Sequence, residues 1–297
     1  MIRPARTHVT IKLFIAFLAL TFAVSWGVPG AGLLLSRLYP GFPFSLEMYS
    51  PFYYAGVWGP AVAAVVVVWY AQGRRGLTAF FGRLLEWRFP GRWWAFALLG
   101  VPALYFLAAV GHWMTDTPEA MSGWNLSLAY LAGSTLARAT AGPVEELGWR
   151  GFAVPLLQRW LHPWTVILVI TALHSLWHAP AFLIGQFAHF GTELPLGLAV
   201  LRFTLQILAI TVIFSIAYNA TMGSLTLAMV IHLMLNLAYP WKANVDLLTG
   251  QTVALGVTAL LMAALVGRRW LTPEHAATEI TPGVPEGGAR HGQGAPS

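Results

Sequence analysis

The sequence predicts an all-α protein, a polytopic membrane helix bundle with about eight transmembrane helices. Two observations lead to this prediction. Hydrophobic residues make up 57% of the chain and charged residues only 9%, with a mean hydropathy of +0.65. Soluble domains carry about 25% charged residues. The apolar residues also fall into segments of roughly 20 residues, which is the length that a helix needs to cross a bilayer. The chain is therefore expected to lie in a membrane.

Eight apolar segments follow one another from the N-terminus, although seven spans remain an alternative count. Their approximate limits are 11–35, 52–70, 93–113, 126–142, 163–179, 196–218, 223–237 and 252–266. The first segment is longer than the roughly 7–15 apolar residues of a signal peptide, so we expect an uncleaved helix. Residues 76–92 combine arginines with apolar positions at helical spacing. That pattern predicts a short helix at the cytoplasmic surface, with a plain loop as the alternative.

The positive charge predicts topology rather than nucleic-acid binding. The net charge is +6, and its basic residues cluster near the N-terminus, in residues 74–92 and at residues 268–269. Basic clusters mark cytoplasmic segments, so both termini are expected in the cytoplasm of an integral protein of a bacterial plasma membrane. No basic patch with stacking aromatics occurs in a soluble segment, which argues against nucleic acid as a partner.

Residues 1–270 are expected to form one membrane-embedded domain, because no long polar interruption divides them. Residues 271–297 are rich in Gly, Pro and polar residues and predict a disordered tail. The chain contains no cysteine, which excludes disulfides and a cysteine nucleophile. Any metal would need His, Glu, Asp or Asn ligands.

Two adjacent acids, Glu145 and Glu146, lie at the edge of an apolar segment. Carboxylates at membrane depth are costly and usually serve a site. Glu146 and Arg150 are four residues apart, so on a helix they share a face and predict an ion pair. Glu145 projects about 100° away from Glu146 and is left to act as a general base. The alternative is that all three residues form a solvated helix end.

Two further elements carry histidines in apolar segments. His174 and His178 are four residues apart on one helical face, a spacing that can bind zinc, although hydrogen bonds to neighbouring helices are equally compatible with it. His232 and Asn236 form a second such pair. That pair could stabilise an oxyanion or ligate a metal, or it could simply join two helices. A single site made by three helices explains all three elements together.

In this order the three elements resemble the CPBP family of intramembrane proteases, also called the Abi or type II CAAX prenyl endopeptidase family. The family pattern is Glu-Glu-x-x-x-Arg, then Phe-x-x-x-His, then His-x-x-x-Asn, each on its own membrane helix. The first motif is complete from Glu145 to Arg150 and the third from His232 to Asn236. The second is present at His178, but His174 replaces the usual Phe. The motif core covers about residues 125–240.

The resemblance implies a peptidase whose catalytic residues are Glu145, Glu146, Arg150, His178, His232 and Asn236. In that reading Glu145 and His178 activate a water, while His232 and Asn236 stabilise the oxyanion. Zinc is the one cofactor that the resemblance leaves open, with Glu145, His178 and His232 as its ligands. We favour the metal-free route because Asn is a poor zinc ligand. The expected partners are a peptide or protein substrate at the membrane face and the lipid bilayer.

Two other functions compete with the protease. A non-catalytic immunity or scaffold protein could have the same fold, but it would not need the complete set of motif residues. A proton-coupled transporter could use an intramembrane Glu and His as a relay. Against it, the sequence has no evident internal repeat and no corresponding pair of broken helices.

Overall fold

In a computed structural model, residues 4–46, 50–115, 127–183, 194–238 and 245–278 are described, and all of their regular structure is helical. The all-α prediction is therefore confirmed. Within these residues, five helices are long and apolar enough to cross a membrane: Ile11–Leu38, Pro51–Leu85, Gly91–Ala108, Leu196–Ala220 and Thr249–Trp270. Two shorter apolar helices span Pro163–Trp177 and Leu225–Leu237. These seven match seven of the eight predicted segments, and the predicted count of eight spans is not established.

The described residues form fourteen α-helices, several of them joined by π-helical turns. Their bounds are α1 Pro4–Phe22, α2 Val28–Leu38, α3 Pro51–Gly82, α4 Gly91–Ala95, α5 Val101–Thr115, α6 Leu128–Ala139, α7 Glu145–Gly148, α8 Val154–Leu157, α9 Pro163–Trp177, α10 Ala179–Leu183, α11 Leu196–Ala220, α12 Leu225–Ala238, α13 Val245–Met262 and α14 Arg268–Trp270. The π turns are Ala23–Gly27, Phe96–Gly100, Trp149–Ala153 and Ala263–Gly267.

Local chemistry explains where α3 and α9 begin. Ser50 accepts a hydrogen bond from the backbone N–H of Tyr53, and the imidazole of His162 accepts one from Trp164. A proline follows each cap, at the first helical position, where its missing N–H costs nothing. The cap at His162 fixes the start of α9, the helix that carries His174.

The fourth predicted segment corresponds to α6 and ends at a break in the backbone directly before the acidic motif. Helix α6 ends at Ala139, and the backbone leaves helical geometry at Ala141 (φ −102°, ψ −100°). A second helical stretch of 3-10, α and π turns then occupies residues 142–157. We call residues 142–157 the motif segment. Because it follows a break, the direction of α6 does not fix its position, and it lies in the interior of the bundle.

Two hydrophobic clusters form the interior. The first surrounds the motif segment with side chains of α1, α3 and α9, among them Phe17, Val68 and Ile170. The second joins α4 and α5 to α11, α12 and α13, with Trp93, Ile213, Ile231 and Leu255 as members. The motif segment is thus packed by α1, α3 and α9, while most buried hydrophobic residues of α12 belong to the second cluster.

Helix α3 continues past a sharp bend at Gly73 (φ 61°) to Gly82, and a 3-10 turn follows over Arg83–Leu85. The helix predicted in residues 76–92 is therefore present in its first part. Arg83 is buried instead of facing an interface. It donates hydrogen bonds to the carbonyl of Gly151 at 2.7 Å and to the hydroxyl of Tyr218. This arginine ties the 3-10 turn after α3 to the motif segment and to α11.

Within the tail predicted from residue 271, hydrogen bonds join the chain to the bundle as far as Thr278, whose carbonyl accepts from Nε of Arg159 at 3.0 Å. The amide groups of Gln158 and Asn219 bond to each other at 3.0 and 3.1 Å. Gln158 also donates to the carbonyl of Ala277, and Asn219 accepts from its N–H. Composition did not reveal these bonds because their partners are distant in sequence. Residues 279–297 lie outside the described residues.

Candidate active site

The motif segment is fully enclosed by protein. Every residue from 141 to 158 is buried, including Glu145 at 5% exposure, Glu146 at 0% and Arg150 at 1%. The alternative of a solvated helix end is therefore excluded. Buried charges need partners to offset the loss of hydration, so the contacts of these three residues are informative.

Two basic side chains, those of Arg150 and His232, contact the carboxylate of Glu146. Arg150 lies 3.0 Å from Oε2 of Glu146 and donates to Oε1 at 3.3 Å, as the four-residue spacing predicted. Nδ1 of His232 lies 2.6 Å from Oε1 of the same carboxylate. The guanidinium carbon of Arg150 also lies 4.3 Å from the ring centroid of Phe214. Glu146 therefore joins the motif segment to α12.

Glu145 faces α9 instead. Its Oε2 lies 3.3 Å from Nε2 of His174, and both residues are buried. From the sequence the role of His174 stays open, because the resemblance transfers only His178. The shared face of His174 and His178 was a signal that His174 could enter the site with its neighbour.

His178 completes this part of the site. One ligand atom from each of Glu145, His174 and His178 lies within 4.8 Å of the others. Helix α9 ends at Trp177, and His178 is its C-cap, stacked on His174 with ring centroids 5.1 Å apart. The predicted limits of the fourth and fifth segments, 126–142 and 163–179, place Glu145 and His178 near opposite faces of the membrane. They meet because the break after α6 separates the motif segment from the preceding span.

Among the described residues, Glu145, His174 and His178 form a group that could hold a metal ion. The zinc ligands expected from the resemblance were Glu145, His178 and His232. The group contains His174 and does not contain His232, whose Nδ1 is in contact with Glu146. Carboxylate and imidazole are suitable zinc ligands.

His232 and Asn236 converge on the backbone of Gly142. A Cβ placed on Gly142 would lie 2.6 Å from Nε2 of His232 and nearer still to Nδ2 of Asn236. Arg138, at the end of α6, donates to the backbone carbonyl of Asn236. Gly142 was not singled out from the sequence, although its place directly before Pro143 and the acidic motif was a usable signal.

Several buried polar atoms near the site have no hydrogen-bond partner in the part of the chain that the structure describes. They are Nε1 of Trp149, Nη2 of Arg150, Oγ1 of Thr171, Nδ1 of His174, Oγ of Ser175 and Nε1 of Trp177. Most buried polar groups in proteins are paired, so these atoms of the motif segment and α9 are exceptions. The motif segment and α9 thus combine a carboxylate, imidazoles and buried polar atoms that have no partner among the described residues.

The comparison with known protein families agrees with this geometry. The family described as "Type II CAAX prenyl endopeptidase Rce1-like" matches residues 128–238. All six predicted catalytic residues lie within the matched residues. None of the curated proteins matches the chain. The resemblance inferred from the three motifs is therefore confirmed over residues 128–238, where the chain is similar to the Rce1-like type II CAAX prenyl endopeptidases.

Proposed function

We propose that the protein is an intramembrane endopeptidase that hydrolyses peptide bonds of a membrane-associated peptide or protein. The observation that carries the proposal is the buried carboxylate of Glu145, which lies beside two imidazoles and apart from the Glu146–Arg150 pair. A carboxylate that lies beside imidazoles and is not paired with Arg150 can accept a proton from water, as a general base does.

In the proposed reaction Glu145 removes a proton from a water molecule that His178 helps to orient. The water oxygen attacks the peptide carbonyl carbon, and the carbonyl oxygen becomes an oxyanion. When the carbon–nitrogen bond breaks, the proton passes from Glu145 to the leaving amine. The products are a carboxylic acid and an amine, so atoms and charges balance.

His232 and Asn236 serve as the oxyanion donors in this proposal. In this proposal the ring of His232 carries a proton on each nitrogen: Nδ1–H is donated to the carboxylate of Glu146, and Nε2–H is offered to the oxyanion. The Nε2 atom of His232 and the Nδ2 atom of Asn236 both lie against Gly142, close together. Two converging donors are the arrangement that stabilises a developing oxyanion.

A zinc ion held by Glu145, His174 and His178 would act as a Lewis acid and would lower the pKa of a bound water. A carboxylate and two imidazoles are suitable zinc ligands, but the surroundings of His174 are not those of a metal-binding histidine. A histidine that binds a metal almost always donates its other ring N–H to a partner. Nδ1 of His174 is buried and has no such partner among the described residues. We therefore propose the metal-free route.

The test is cleavage of a quenched fluorescent peptide library by the detergent-purified protein. It is run beside the Glu145→Ala and His178→Ala variants, with elemental analysis of the same samples. We expect cleavage by the native protein and its loss in both variants, which should remain folded. A Glu145→Ala protein that cleaves at the native rate would contradict the mechanism. A folded native protein that cleaves no peptide would favour the non-catalytic binding protein.

A further inference from the structure

His174 stands where the resembling family usually has Phe, one helical turn before His178 on α9. A phenylalanine can fill space there but cannot form a hydrogen bond. The imidazole of His174 is 4% exposed and its Nε2 lies 3.3 Å from Oε2 of Glu145. The departure from the family pattern therefore adds a polar group at the proposed base.

The ring of His174 is held in place by its aromatic neighbours. It stacks on Trp149 with ring centroids 5.1 Å apart and an interplanar angle of 28°. It stacks on His178 at the same 5.1 Å with an angle of 22°, and Trp177 packs at 5.7 Å. A ring in such contacts keeps its orientation, so Nε2 stays directed at Glu145 while Nδ1 faces away from it.

The surroundings of the two ring nitrogens select one neutral tautomer. Nδ1 of His174 is buried and has no hydrogen-bond partner among the described residues. A proton on Nδ1 would leave an unpaired buried N–H, which is rare, and would turn a lone pair on Nε2 toward the carboxylate. A proton on Nε2 instead gives a hydrogen bond to Oε2 of Glu145 and leaves Nδ1 as an acceptor. The tautomer protonated at Nε2 therefore has neither an unpaired buried N–H nor a lone pair directed at the carboxylate.

We propose that His174 is a positioning residue that donates its Nε2–H to Glu145. The bond fixes the carboxylate and occupies one oxygen, so that the other oxygen is available to the attacking water. This inference rests on the proposed function for its effect on rate, but the hydrogen bond itself can be tested without a substrate. The role is distinct from that of an aromatic filler, which would leave the carboxylate free to rotate.

The first test compares His174→Phe with His174→Gln. His174→Phe installs the usual family residue and keeps an aromatic ring, whereas His174→Gln keeps an N–H donor near the position of Nε2. We expect His174→Phe to lower kcat about 10–100-fold with KM nearly unchanged, since a displacement of about 1 Å at a reacting group costs about that much. His174→Gln should recover part of the loss. A His174→Phe protein with native kcat would overturn the positioning role.

The second test needs no cleavage. In ¹⁵N spectra of histidine-labelled protein, the resonances absent from His174→Phe belong to His174, and we expect them to show a neutral ring protonated at Nε2. A ring protonated at Nδ1 would overturn the inference. One zinc ion per native chain that disappears in His174→Phe would also overturn it, because Nε2 would then be a metal ligand. Loss of cleavage in Glu145→Ala tests the proposed function separately.

Discussion

Gly142 is the position at which a single methyl group should test the oxyanion assignment. In Gly142→Ala the new Cβ would lie 2.6 Å from Nε2 and 3.0 Å from Cδ2 of His232, and nearer still to Nδ2 of Asn236. Non-bonded heavy atoms settle at about 3.5–4.0 Å, so the two side chains must move by roughly 1 Å. His232 is restrained by its 2.6 Å contact with Glu146, and the displacement therefore breaks that contact or moves Asn236 away.

The size of the effect follows from these overlaps. Overpacking of this kind costs about 1–3 kcal/mol of stability, which a folded bundle should tolerate. A displacement of about 1 Å at catalytic donors costs about 100-fold in rate. We therefore expect Gly142→Ala to remain folded and to lose about 100-fold in kcat, measured as initial rates on the best peptide from the library, with thermal unfolding in detergent measured on the same protein.

Gly133→Ala is the matched control, since the added Cβ on α6 has nothing within 4 Å. Alanine is also the better helix former, so Gly133→Ala should keep native activity and stability. A Gly142→Ala protein with native kcat would show that His232 and Asn236 do not act at the reacting carbonyl. An equal loss of kcat in Gly142→Ala and Gly133→Ala would show that the added methyl group acts by disturbing helix packing in general and not by displacing His232 and Asn236.

Three further predictions concern the motif segment and the topology. Arg150→Ala should lower the free energy of unfolding by about 3–5 kcal/mol, towards the lower value because His232 still contacts Glu146, while Arg88→Ala at an exposed position should change it by less than about 0.5 kcal/mol. Equal thermal unfolding of the two variants would show that the buried pair contributes nothing. Gly148→Ala should lose stability as well as activity, because its Cβ would lie 2.6 Å from the backbone carbonyl of Pro60, which cannot rotate away; native unfolding behaviour would contradict this packing. A single cysteine placed at residue 88 of this cysteine-free chain should react with an impermeant reagent only from the cytoplasmic side, and labelling from outside would reverse the predicted topology.

Much of the fold follows from the sequence because membrane helices are defined by local properties. Apolar length placed seven of the helices, since a span needs a fixed number of apolar residues whatever its neighbours are. Helical periodicity placed Glu146 and Arg150 on one face, and their ion pair is present. Periodicity also separated Glu145 from that pair, and the structure directs it to a different helix.

Only the tertiary structure decided which faces meet. The contact of Glu146 with His232 spans 86 residues, and that of Glu145 with His174 spans 29. No local pattern encodes such distances, because they depend on how α9 and α12 pack around the motif segment and on the break after α6. The contacts of Gly142 have the same origin, since a missing side chain is informative only when its neighbours are known. The sequence alone determined which residue types reach the membrane interior, and packing determined which of them touch.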